Sequence, residues 1–156
     1  MVKYLLSFLA GFLACAFLFS FVFFGFGDGV VTGFSSYDVE APGNWVSEED
    51  IILFEDYIVL RVANATLSNY GDTGSMKPLF DVGANGIRVV PSGESDVEVG
   101  DIVSFRQGDF LVVHRVVEKG YDEGGVYFVT QGDNNLIGDS RIRFEEIEYV
   151  TVGIIY

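Results

Sequence analysis

The chain has 156 residues, of which 49% are hydrophobic, and a formal net charge of −14; this length suits one domain with an appendage. The acidic excess leaves no basic patch for phosphate groups, which excludes nucleic acid as a partner. With one cysteine and one histidine, the chain can form neither an intramolecular disulfide nor a Cys/His zinc site.

The N-terminal segment is apolar and long. Residues 4–26 are 23 consecutive residues without a charge. As a helix rising ~1.5 Å per residue they would span roughly 35 Å, enough for the ~30 Å hydrocarbon core of a bilayer. A cleaved secretory signal is the alternative, but the apolar region of such signals is only about 7–15 residues long. We therefore predict a retained membrane anchor, a transmembrane helix, within residues 1–26.

The charges that flank this segment predict its orientation. Lys3 precedes it, and the first charged residues after it are acidic, Asp28 and Asp38. Because positively charged flanks tend to stay on the cytoplasmic side, we expect a single-pass protein of the cell membrane. Its N-terminus would be cytoplasmic and its remaining chain would lie on the outer face.

The rest of the chain reads as a linker followed by a β-rich domain. Residues 27–46 are rich in Gly, Ser and acidic residues and predict a linker, and Ser47 before three acids predicts a short helix over 48–54. Apolar, β-branched runs separated by Gly- and Asn-rich turns then predict strands, at 57–62, 87–90, 101–105, 110–117, 126–130 and 147–155. We predict a mainly β extracytoplasmic domain over 47–156, with a compact coiled-sheet or barrel-like core.

A serine is displayed in a turn-forming segment. Ser75 lies between Gly74 and the sequence Met-Lys-Pro at 76–78; glycine allows close approach of another chain, and Pro78 ends any regular element. One interpretation is an ordinary serine in a turn. The other is a nucleophile whose own N–H is available to a developing oxyanion.

The only histidine and two nearby acids could activate such a serine. His114 lies in the apolar run 111–117, which reads as a central strand; it is either a buried structural histidine or a general base. Asp133 and Asp139 follow in a Gly- and Asn-rich loop. Asp133 could simply form a turn with its own backbone, and either acid could hold the ring of His114 in the right tautomer.

Together these segments resemble the type I signal peptidases, in the form that uses histidine where bacterial enzymes use lysine. That form is found in archaea and in the endoplasmic reticulum. The resemblance covers residues 71–156 and the N-terminal anchor. Four family boxes, Ser-Met-x-Pro, Gly-Asp-Ile-Val, Val-His-Arg-Val and Gly-Asp-Asn-Asn, match residues 75–78, 100–103, 113–116 and 132–135.

The resemblance implies a serine endopeptidase, signal peptidase I, that removes signal peptides from exported preproteins. Ser75 would be the nucleophile, His114 the general base, Asp139 the acid that orients it and Asp133 a supporting residue. Thr73 stands where bacterial relatives have a serine, so its hydroxyl and the Ser75 N–H would form the oxyanion hole. No metal or organic cofactor is implied.

The implied partners are signal peptides, the lipid bilayer through residues 4–26 and, as a further candidate, the protein-export channel. Two segments depart from the family pattern: 81–86 lacks the early Gly-Asp, and Gln131 replaces a lysine. Neither is a proton-transfer residue, so these departures bear on substrate preference. The alternative function is a membrane-anchored, non-catalytic β-domain, either an adhesion or scaffold module or a degenerate peptidase.

Two further residues, Lys77 and Asn64, each have an ordinary interpretation without a function and a functional one. Lys77 could form a Ser–Lys dyad, but it lies two residues from Ser75 and before a proline, so we expect a solvated lysine. Asn64 begins an Asn-Ala-Thr triplet, which is a glycosylation acceptor pattern and also occurs often by chance.

Overall fold

Strands dominate residues 39–156, the part of the chain that this computed structural model describes. The predicted anchor at 1–26 and residues 27–38 of the predicted linker lie outside the described residues. In chain order the strands are β1 (Ile51–Leu53), β2 (Ile58–Leu60), β3 (Thr66–Asn69), β4 (Asn85–Val89), β5 (Ile102–Gln107), β6 (Phe110–Asp122), β7 (Gly125–Gln131) and β8 (Ile147–Ile155). Within residues 39–156, no helix has the length and apolar character needed to span a bilayer.

The strands form two antiparallel sheets. Strands β1 and β2 make a separate hairpin, and the other six form one sheet in the order β3-β4-β8-β5-β6-β7. The register shifts in three of the pairings, between β4 and β8, β5 and β8, and β6 and β7; such bulges bend a strand and increase its twist. The prediction of a mainly β domain is confirmed.

The predicted helix at 48–54 is wrong. Only a single 3-10 turn forms, Glu48–Asp50, and β1 follows it directly. Ile51 and Ile52 are β-branched residues, which favour a strand, and β1 finds a partner in β2 through the pairs Ile51↔Leu60 and Leu53↔Ile58. Backbone pairing therefore prevails over the acidic N-terminal signal.

Two hydrophobic clusters stabilise the sheet, and the smaller one supports the segment that carries Ser75. The larger cluster contains Val97, Val103, Phe105, Val116, Phe128, Ile142, Ile147 and Val150. The smaller cluster contains Met76, Phe80, Ala84 and Ile102, with Tyr70, Val113 and Ile154 packed against it. The burial of Met76, next to Ser75, fixes this segment against the sheet.

A fully buried aspartate ties the start of the domain to the sheet. Asp101 accepts hydrogen bonds from the Gly43 N–H at 2.8 Å, the Trp45 Nε1–H at 3.0 Å and the Glu98 N–H at 2.9 Å. Three donors to one buried carboxylate compensate for its desolvation. Residues 39–46, which the composition places in the linker, thus belong to the compact unit Val39–Tyr156.

Candidate active site

Ser75 lies in the connection between β3 and β4, on a tight turn that begins at Gly74. Gly74 has a φ of 67°, a left-handed conformation that glycine adopts without strain. The Thr73 Oγ1 lies 3.2 Å from the Ser75 Oγ and accepts the Ser75 N–H at 3.4 Å. The turn therefore brings a serine hydroxyl, a threonine hydroxyl and a backbone N–H together at one point.

His114 lies on β6, where it pairs with Val103 of β5 and is only 7% exposed. Its Nδ1 lies 2.6 Å from the Asp139 Oδ2. Because a carboxylate only accepts hydrogen bonds, this contact favours the tautomer with the proton on Nδ1 and a lone pair on Nε2.

The second ring nitrogen of His114 is open to the solvent side. Among the described residues, Nε2 has no hydrogen-bond partner. Every buried side-chain nitrogen or oxygen in this part of the chain has such a partner, so Nε2 is not a buried atom. Nε2 therefore keeps contact with solvent. A lone pair in this position is available to accept a proton from a group in the adjoining cleft.

Ser75 and His114 line the same cleft, which has a volume of about 440 Å³. The Ser75 hydroxyl contacts Thr73, and among the described residues no hydrogen bond joins it to the His114 ring. Such catalytic contacts are often long without substrate and tighten when it binds. The other lining residues are mostly apolar: Tyr70, Gly71, Thr73, Met76, Phe80, Asp81, Gln107, Phe110, Leu111, Val112, Val113 and Asn135.

Asp133 has a different partner from Asp139. Its two carboxylate oxygens accept hydrogen bonds from the Arg115 Nε and Nη2, both at 2.8 Å. Arg115 also donates to the Gly100 carbonyl oxygen at 2.8 Å. Both side chains of this pair are nearly buried, with 9% of Arg115 and 12% of Asp133 exposed. Of the two acids in the loop, only Asp139 contacts the imidazole.

One loop, residues 132–139, contacts both Ser75 and His114. Asn134 donates its N–H to the Ser75 carbonyl oxygen at 2.8 Å and its Nδ2 to the Gly74 carbonyl oxygen at 3.0 Å. A Cβ at Gly132 would lie 2.7 Å from the Ser75 carbonyl oxygen, so only glycine permits this approach. The loop therefore holds the turn that carries Ser75 at its start and contacts the His114 ring at its end.

Asn134 and Arg115 have site roles that the sequence did not assign to them. Both lie inside motifs that were recognised, Gly-Asp-Asn-Asn and Val-His-Arg-Val, but only the structure shows what they contact.

Within residues 39–156, no three His, Cys, Asp or Glu side chains are grouped so that they could hold a metal ion.

Lys77 is held by an acid and does not reach Ser75. Its Nζ lies 2.6 Å from the Asp81 Oδ2, and the hydrogen bond and charge of Asp81 raise the pKa of Lys77. The same hydrogen bond lowers the pKa of Asp81, which also accepts the Gly74 N–H at 3.2 Å. A lysine base needs a lowered pKa, so Lys77 is unsuited to activate Ser75.

Replacing Lys77 with methionine should leave the precursor cleavage that the family resemblance implies almost unchanged. We expect kcat/KM to change by less than about fivefold, since exposed ion pairs contribute little. Initial rates of precursor cleavage would measure this. A loss as large as that caused by removing the Ser75 hydroxyl would instead assign the base to Lys77.

Comparison with known proteins adds no relative: no family model, curated protein or solved structure matches the chain. The resemblance to the type I signal peptidases therefore rests on the four boxes. In the described part of the chain, His114 contacts Asp139, and Ser75 and His114 line one cleft.

Proposed function

We propose that this protein is a membrane-bound serine endopeptidase of the signal peptidase I type, which removes signal peptides from exported preproteins. The observation that carries the proposal is the 2.6 Å contact between His114 and Asp139 at a cleft that Ser75 also lines. A nucleophile, a base and an acid that orients the base are the parts such a hydrolase needs.

In the proposed reaction, His114 Nε2 takes the proton of the Ser75 hydroxyl as Oγ attacks the scissile carbonyl carbon. The negative charge that develops on the carbonyl oxygen would be stabilised by the Ser75 N–H and the Thr73 hydroxyl. The imidazolium, stabilised by Asp139, then gives its proton to the leaving amine. In the second half of the reaction, His114 would take a proton from a water molecule as the water oxygen attacks the acyl carbon. The bond from that carbon to the Ser75 Oγ then breaks, and the imidazolium returns the proton to Oγ.

The hydrogen bond between Ser75 and Thr73 fits this scheme as a resting state. A rotation of the Ser75 side chain between staggered rotamers would exchange the Thr73 contact, 3.2 Å between the two oxygens, for one with His114. The same exchange would free the Thr73 hydroxyl to donate to the oxyanion. Substrate binding would thus form both groups of contacts together.

An unpaired strand edge supports binding of an extended peptide. β6 pairs with β5 over Phe110–Arg115, but β7 pairs with β6 only from Arg115 onward. Residues 110–114 line the cleft consecutively; since alternate side chains point to opposite faces, the edge of the strand faces the cleft. A substrate added there as a strand would lie between β6 and the Ser75 segment.

The apolar lining suits small side chains near the scissile bond. Met76 and Phe80 are buried, 3% and 4% exposed, and the ring of Tyr70 lies 4.1 Å from that of Phe80. These packed side chains form part of the apolar lining of the cleft. The family cuts after small residues at the first and third positions before the bond, which is the preference we propose for this chain.

A second candidate is a non-catalytic, membrane-anchored β-domain that binds peptides in the same cleft. The observation that favours it is the engagement of the Ser75 hydroxyl with Thr73. Both candidates predict peptide binding, but only the peptidase predicts a new N-terminus.

The test is cleavage of a model preprotein by the full-length protein in detergent. We expect one cut, after an alanine that follows the apolar segment of the substrate, with the new N-terminus located by mass spectrometry. A preprotein in which that alanine and the one two residues earlier are changed to leucine should remain uncut. Binding of the first preprotein without any cleavage would support the non-catalytic candidate and refute the peptidase.

A further inference from the structure

A buried threonine contacts the acid that orients the imidazole. Thr130 lies on β7, opposite Val116 of β6, and is fully buried. Its Oγ1 donates to the Asp139 Oδ2 at 2.7 Å. This is the same carboxylate oxygen that lies 2.6 Å from the His114 Nδ1.

Thr130 holds Asp139 at two points. Besides the side-chain contact, the Asp139 N–H donates to the Thr130 carbonyl oxygen at 2.7 Å. The backbone contact closes the loop of residues 132–139 at its far end, and the hydroxyl contact acts on the carboxylate alone. A substitution that removes only the hydroxyl can therefore separate the two effects.

We propose that Thr130 is a positioning residue that fixes the carboxylate of Asp139, and through it the tautomer of His114. The torsion at the end of an aspartate side chain is broad, so a carboxylate held only by an imidazole can rotate. A second donor on Oδ2 restrains it, because hydrogen bonds to a charged acceptor are strong. The proton then stays on Nδ1, and Nε2 keeps its lone pair toward the cleft.

The competing explanation is that Thr130 only fills space in the core. A buried hydroxyl needs some acceptor, and Asp139 could be merely the nearest one. Valine keeps the shape of threonine without the hydroxyl, whereas serine keeps the hydroxyl and loses a methyl group. A role in packing alone predicts that Thr130→Ser is impaired and Thr130→Val is not, whereas positioning predicts that Thr130→Val is impaired and Thr130→Ser is not.

The chain's single histidine makes a direct spectroscopic test possible. In full-length protein labelled with ¹⁵N-histidine in detergent, all imidazole signals come from His114. We expect wild type and Thr130→Ser to show one tautomer, protonated at Nδ1 with slow proton exchange. Thr130→Val should show mixed tautomers and faster exchange.

A matched control is Thr151→Val. Thr151 is also buried, 7% exposed. Its hydroxyl contacts the Tyr70 hydroxyl at 3.3 Å, whereas the Thr130 hydroxyl contacts Asp139. Its replacement removes the same atom from a similar environment and should leave the His114 signals unchanged. A change in those signals as large as that of Thr130→Val would overturn the proposal.

The kinetic expectation rests on the proposed function. Thr130→Val should lower kcat for preprotein cleavage by about 10- to 100-fold, the cost of a slightly misplaced catalytic group, with KM changed by less than about twofold. Thr130→Ser should keep kcat within about threefold of wild type. A loss in Thr130→Ser as large as or larger than that in Thr130→Val would overturn the proposal in favour of packing.

The two proposals fail in distinguishable ways. If the wild-type protein cleaves no preprotein, the proposed function fails, but the imidazole spectra still test the role of Thr130. If Thr130→Val does not fold, the wild type decides, because a proton on Nε2 would overturn the proposal and a proton on Nδ1 that Thr130→Ser retains would support it.

Discussion

Each of the single substitutions Ser75→Ala and His114→Ala should lower kcat/KM for preprotein cleavage by at least about 10⁴-fold. The first change removes the nucleophilic oxygen, and the second removes the only imidazole of the chain. Because the two groups act in one proton transfer, the double variant should be hardly less active than either single variant. Initial rates with a detergent-solubilised preprotein measure all three.

A matched serine control keeps this test specific. Ser92 is exposed, and its side chain has no hydrogen bond among the described residues, so Ser92→Ala should retain wild-type rates. Thermal unfolding of each variant would show that the fold survives. Full activity of Ser75→Ala in a folded protein would refute the peptidase assignment and leave a membrane-anchored binding domain.

The sequence predicts a strand well when the strand's own side chains show a β pattern, and poorly when the strand forms mainly through backbone pairing with a neighbour. For β8 the predicted run 147–155 and the observed strand Ile147–Ile155 coincide, because β-branched residues recur along it. β6 extends to Asp122, beyond the predicted end at 117, since its polar second half pairs with β7. β3, Thr66–Asn69, has one apolar residue and exists through backbone pairing with β4, which no side-chain pattern reveals.

For the candidate site, the sequence pointed to the serine, the histidine and the two acids but not to the partners that each contacts. The residues alone left open whether Asp133 or Asp139 meets the imidazole, because both lie in one loop after the same strand, and the family resemblance implied Asp139. The structure shows that Arg115 takes both oxygens of Asp133. Thr130 gave no signal at all, since a threonine in a strand is an ordinary β-former, and its contact with Asp139 depends on how the loop folds back.

The two acids of the loop of residues 132–139 have separate partners: Asp133 pairs with Arg115, and Asp139 contacts His114. Two carboxylates that faced one imidazole would repel each other. Arg115 binds both carboxylate oxygens of Asp133, which keeps Asp133 away from the imidazole and holds the start of the loop. Asn134 can then contact the backbone of Ser75 while Asp139, at the other end, remains with His114.

Replacing Arg115 with methionine should therefore cost both stability and activity. The Arg115 side chain is 9% exposed, and its loss leaves the nearly buried carboxylate of Asp133 without its partner and the Gly100 carbonyl oxygen without a donor. Breaking a buried pair in this way costs about 3–5 kcal/mol of unfolding free energy. Urea unfolding followed by circular dichroism measures the loss.

Two further variants separate the buried charge from lost packing. The double variant Arg115→Met with Asp133→Leu removes both charges, and it should recover much of the lost stability because no unpaired charge stays buried. Arg106→Met breaks a pair with Glu148 in which 55% of the arginine side chain is exposed, and it should cost less than about 1 kcal/mol. If Arg115→Met cost no more than Arg106→Met, the pair would not be what holds the loop. Recovered stability in the double variant without recovered activity would mean that the loop needs Asp133 in place to keep Asn134 on Ser75.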